Sequence, residues 1–147
     1  MSVNRDSSIV ARSAGLEPDG EGASTEQLAE AQRQLDVTFP PDYIEFMAYA
    51  NGAGGFIGEA LLYLYRLERV VERNLEDWEA GFPRHYVEFG SDGGGEAYVF
   101  DKRGEGAARI IQKPADSDDP ADAIPVGATL AELFEFVRQG AGLGPLE

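Results

Sequence analysis

The chain has 147 residues, 27 acidic and 12 basic, for a formal charge of −15 at neutral pH. That length suits one domain with a genuine core, and the lack of cysteine excludes disulfides and thiolate metal sites. A single histidine, His85, excludes a multi-histidine metal site within one chain. So acidic a surface repels nucleic acid and anionic membrane and attracts a basic protein.

Residues 1 to 22 are polar, with only Ile9, Val10 and Leu16 as sizeable apolar groups, and are expected to form a flexible arm. They lack the apolar run of a signal peptide, and no span of the chain approaches the length of a membrane helix. The simplest location is the cytoplasm. A single domain is expected over 23–139, followed by a flexible tail, 140–147.

Ser24 and Gln27 fit a capping box, and Leu28, Ala31 and Leu35 then recur at helical spacing. This helix stops near Asp36. A second opens at Pro41, where proline sacrifices no needed hydrogen bond, and buries Tyr43, Phe46, Met47 and Ala50. Asn51 and Gly52 are expected to close it, both tolerating the left-handed conformation. GGFIGEALLYLY predicts one or two strands broken near Gly58. Leu67, Val70 or Val71, Asn74 and Trp78 form the next helical stripe, which Gly81 can stop.

HYVEF, EAYVFD and ARIIQ read as three short strands, close enough in sequence to pair antiparallel. An acidic loop, KPADSDDPADAIP, precedes a last helix that Thr129 and Glu132 open as a capping box. Leu130, Leu133, Phe134 and Val137 supply its apolar face. The expected architecture is α+β: an antiparallel sheet of about five or six strands with helices packed around it.

No catalytic signature emerges. GAGGFIG, at 52–58, misplaces its last glycine for a dinucleotide fingerprint and leads from helix to strand, the reverse of the required context. There is no P-loop and no G-x-S-x-G, and His85 reads as a surface or half-buried strand-edge residue. An EF-hand starting at Asp116 fails because Pro120, Ala121 and Gly127 occupy the positions for a ligand, the glycine and the glutamate. No catalytic residue, metal or cofactor is therefore assigned.

FGSDGGGEAYVFD, at 89–101, has the glycines of a phosphate cradle, but turn chemistry accounts for them. Gly93, Gly94 and Gly95 can adopt positive φ, and Asp92 can bond its own backbone two residues on. A hairpin needs no ligand.

TFPPDYIEFMAYANGAGG, then FGSDGGGEAYVFD, then TLAELFEFV, in this order and spacing after an early helix, resemble the SUKH superfamily. That group includes bacterial toxin-immunity proteins and a fungal cell-wall-synthesis regulator of the Smi/Knr type. The likeness spans roughly residues 24–138. It matches the family's Leu-Pro pair to Phe39 and Pro40, its Asn-Gly-Gly cap to Asn51 and Gly52 with Gly54 and Gly55, and its glycine-rich hairpin to Gly90, Asp92, Gly95, Tyr98 and Asp101.

The resemblance implies a non-catalytic protein that inhibits a cognate toxin, here a basic one given the charge. The alternative is an intracellular regulatory or scaffold domain linked to cell-wall synthesis. An enzyme or small-ligand binder using the hairpin is a third class, for which no activated nucleophile is present. Candidate partner contacts are Asp92, Glu96, Tyr98 and Asp101 around the hairpin, with Asp116, Asp118 and Asp119 from the acidic loop. Tyr98 reads equally well as core, and the aspartates as plainly solvated.

Overall fold

A computed structural model describes residues 8–140. Among these, five α-helices and a seven-stranded, wholly antiparallel sheet form an α+β fold. The elements run α1 (Ser8–Arg12), β1 (Leu16–Pro18), α2 (Thr25–Leu35), α3 (Pro41–Tyr49), β2 (Ala53–Ile57), β3 (Ala60–Leu64) and α4 (Leu67–Glu79). They continue through β4 (Tyr86–Ser91), β5 (Glu96–Asp101), β6 (Arg109–Pro114), β7 (Ile124–Gly127) and α5 (Leu130–Arg138). The strands are ordered in space as in sequence, β1 to β7, so each connection joins neighbours.

Both predicted capping boxes form, Ser24 with Gln27 and Thr129 with Glu132. The apolar stripes of α2, α4 and α5 bury the residues that helical spacing selects, including polar Asn74.

Side chains alternate across the sheet. Leu62, Leu64, Val87, Phe100 and Ile110 enter the main core with Leu35, Tyr43, Phe46, Leu133 and Phe134 from the helices. At its centre, Phe89 and Phe100 stack with centroids 3.9 Å apart, and Tyr43 meets both rings edge-on. Replacing such a ring by alanine costs about 3–5 kcal/mol. The opposite face carries a smaller cluster of Tyr86, Ala97, Val99 and Ile111, with Ala115 and Ala123 packed on it.

Three expectations need correction. The sheet has seven strands rather than about five or six, because strand pairing extends both edges. At one edge Leu16, Glu17 and Pro18 pair with β2, while Ile9 and Val10 are buried. Residues 8–22 are therefore docked against the domain rather than forming part of a flexible arm. Residues 1–7 and 141–147 of the expected arm and tail lie outside the described residues.

At the other edge, β7 begins inside the expected loop, at Ile124 and Pro125, and pairs with β6. The third correction concerns the end of α3. Gly52 takes φ +94°, but Asn51 is not left-handed, and Ala50 leaves the helix in an extended conformation. Asn51 instead turns its side chain to the start of α4, where its Oδ1 accepts from Leu67 N–H at 2.7 Å.

Candidate functional site at the glycine-rich hairpin

Ser91 to Glu96 close a tight hairpin between β4 and β5. Asp92 organises it: its Oδ1 accepts from Gly94 N–H at 2.7 Å and from Glu96 N–H at 3.0 Å. Gly93 and Gly95 take φ of +76° and +107°, conformations that cost side-chain-bearing residues strain. Gly90 serves closeness rather than φ, since an added Cβ would sit 2.5 Å from the Tyr63 carbonyl oxygen.

Beside the hairpin lies a pocket of about 380 Å³. Asp92 and Gly94 form one side, and Phe56, Glu59, Ala60 and Leu61 of the β2–β3 hairpin form another. Tyr98 and Gln112 also line it, with Val137 and Gly140 from the end of α5. Phe56 is 55% exposed, whereas Gln112 is only 1% exposed and its Oε1 has no hydrogen-bond partner. Gln112 Nε2 donates to the Tyr98 hydroxyl at 3.3 Å. A buried acceptor without a donor is costly, and a donor entering this pocket could satisfy it.

Asp92 and Glu59 give the pocket lining its negative charge, and further acidic groups crowd the hairpin beside it. The Glu96 carboxyl is held above its ordinary pKa, first by burial and then by Asp92, Asp116 and Asp122. The Tyr98 hydroxyl is pushed up to about 12, mainly by burial; the Gln112 bond opposes this, and Asp92 and Glu96 add to it. Negative charge is thus concentrated where the two acidic segments meet, and an approaching cation would relieve it.

The acidic loop is tied down by Lys113, which is buried and donates through Nζ to the Pro114 and Ser117 carbonyls at 3.1 and 2.7 Å. Asp119 caps a short 3-10 turn, Pro120–Asp122, by accepting from Ala121 N–H at 2.9 Å. Asp116 and Asp118 are exposed.

The structure therefore brings Asp92, Glu96, Tyr98 and Asp116 together, on the sheet end that also carries Asp118 and Asp119. Asp101 stands apart at the other end of β5, about 17 Å away at the usual strand rise. There Arg103 grips it through 2.8 and 3.0 Å bonds; burial would raise the Asp101 pKa, but these bonds outweigh it and hold it low. Tyr98 is 3% exposed, so it floors the pocket rather than projecting from it.

Sequence reasoning did not select Asp122, Phe56, Glu59 or Gln112. Gln112 carried a signal, being a polar residue among the apolar positions of β6. The others had none, because their importance depends on which strands become neighbours.

The other family-like positions have structural roles. Pro40 immediately precedes α3, and its carbonyl accepts from Tyr43 and Ile44. Asp42, in the first turn of α3, accepts from Leu130 and Ala131 N–H at 2.8 and 2.9 Å, capping the neighbouring α5. Asn51 likewise starts α4, as described above.

Residues 22–135 match the SMI1 / KNR4 family (SUKH-1). The chain belongs to this family. It is also 28% identical over 116 residues to YnaB of Bacillus subtilis (strain 168), described as an uncharacterized protein, covering 78% of this chain and 76% of YnaB. The SUKH-1 match takes in α2 through most of α5, including both long-range caps and all of the hairpin pocket's lining except Val137 and Gly140. Among the described residues, no helix is long and apolar enough to cross a membrane.

Proposed function

We propose that this SUKH-1 protein is a non-catalytic immunity protein that binds a cognate basic toxin in the cytoplasm and occludes its active face. The observation that carries this reading is the hairpin pocket. Its lining includes an exposed aromatic ring, Phe56, the carboxylates of Asp92 and Glu59, and Gln112, whose Oε1 is buried and unpartnered. An aromatic anchor next to desolvated polar groups is the usual composition of an energetic centre in a protein interface. The lysine or arginine of a basic partner would supply both the charge and the donor that this pocket lacks.

The overall charge of −15 would draw such a partner in and deter acidic ones. The test is co-expression with the toxin encoded beside this gene, which should restore growth. Equal killing by every neighbouring toxin with and without the protein would overturn the proposal. If a pull-down then recovered only envelope-synthesis factors, the regulatory reading would replace it.

A further inference from the structure

A second surface, sharing no residue with the hairpin pocket, lies between α2 and α4. Buried Ala31 and Leu67 floor an open groove of about 460 Å³, and half-buried Val71 gives it an accessible apolar wall. Leu75, one turn beyond Val71, continues the stripe and is 44% exposed. An exposed leucine aligned with an apolar groove extends the surface that a partner can desolvate.

The charged residues lining the groove are all acidic: Glu26 and Glu30 from α2, Glu68 and Glu72 from α4. Glu30 pairs with Arg33, Glu68 with Arg66 at 3.1 Å, and Glu72 with Arg69 at 4.0 Å. These pairs are solvent-exposed, so each contributes little and yields readily to a competing cation.

We propose that this groove docks a basic amphipathic helix of a partner protein. Its apolar lining matches the i, i+3, i+4, i+7 stripe of such a helix, and its acidic rims match flanking Lys or Arg. A second copy of this chain is a poor occupant, because it carries the same formal charge of −15 and would be repelled as a whole. An anionic membrane is disfavoured for the same reason. The inference does not depend on toxin immunity or on any ligand in the hairpin pocket.

The probe is a fluorescent Leu/Lys peptide of about four helical turns, with leucines on one face. A control peptide has the same composition, with its leucines scattered. At about 0.15 M salt, where long-range attraction is screened, the amphipathic peptide is expected to bind at least ~10-fold tighter than the control. Val71→Gln with Leu75→Gln should weaken it by ~10-fold, whereas Asp116→Asn with Asp118→Asn should leave it unchanged.

Equal binding of both peptides would overturn the proposal, as would insensitivity to the groove variant or equal sensitivity to the loop variant. Amide NMR shifts of the unsubstituted protein give a readout independent of variant folding. Peptide-induced changes centred on residues 26–34 and 67–75 support the groove; changes centred elsewhere refute it.

Discussion

Asn74 grips the backbone of Glu88 from both sides: its Oδ1 accepts from Glu88 N–H at 2.8 Å, and its Nδ2 donates to the Glu88 carbonyl at 2.9 Å. Four residues on, Trp78 Nε1 donates to the Tyr86 carbonyl at 3.1 Å. β3 pairs with β4 only at Gly90 and Ser91, so side chains of α4 serve the part of the β4 edge that β3 does not reach. A helix thereby satisfies backbone groups that a strand would otherwise have to cover.

Asn74→Ala should therefore destabilise the fold by about 2–3 kcal/mol, since it strips partners from a buried N–H and a buried carbonyl. Urea denaturation measures this. A loss below ~0.5 kcal/mol would mean that the β4 edge does not need the clamp.

Asp42 and Asn51 cap helices far from them in sequence, Asp42 on α5 and Asn51 on α4. Asp42→Ala and Asn51→Ala should each cost about 1–2 kcal/mol. They act on different helices, so the double variant should add within ~0.5 kcal/mol. A double variant no worse than either single one would contradict independent capping.

Glu96 carries a carboxyl whose folded pKa is raised, first by burial and then by Asp92, Asp116 and Asp122. Its ionised form therefore opposes folding, and stability is regained as pH falls through the raised value. Glu96→Gln should stabilise the protein by a few tenths of a kcal/mol at neutral pH, the surface exposure limiting the effect. The gap should close below about pH 4.3, where the unfolded carboxyl is also protonated. Thermal unfolding across pH tests this, and a gap that widens in acid would contradict the stated sign.

Phe56 is mostly exposed, so Phe56→Ser should change stability by no more than ~0.5 kcal/mol. If the protein binds a toxin through the hairpin pocket, as proposed, the same change should weaken that binding at least ~10-fold. Titration calorimetry with the proposed toxin partner gives the answer, and unchanged affinity would move the contact elsewhere.

Asp116 and Asp118 are exposed, while Asp119 is committed to its turn. Under the proposed immunity role, Asp116→Lys with Asp118→Lys should slow toxin association more than it speeds dissociation, with the difference shrinking at high salt. Stopped-flow mixing at two ionic strengths distinguishes this from a mainly dissociative effect.

Much of the fold was legible locally. Ser24 with Gln27, Thr129 with Glu132, and the stripe from Leu67 to Trp78 each rest on contacts within a few residues, which periodicity and capping chemistry encode directly. The same holds for Asp92 and its turn, so the hairpin was recognisable before any strand had been placed.

Strand neighbours and long-range polar partners were not legible in this way. Asp101 and Asp92 look alike in a single motif, yet β5 separates them to opposite ends, one locked by Arg103 and the other beside a pocket. Asn51 reads locally as a helix terminator and acts instead as the cap of the next helix. Ile9, Val10 and Leu16 look too sparse to hold an arm, yet β1 finds the open edge of β2. In each case the partner lies outside the residue's local stretch of chain, and its identity follows from packing the whole core, which no local pattern records.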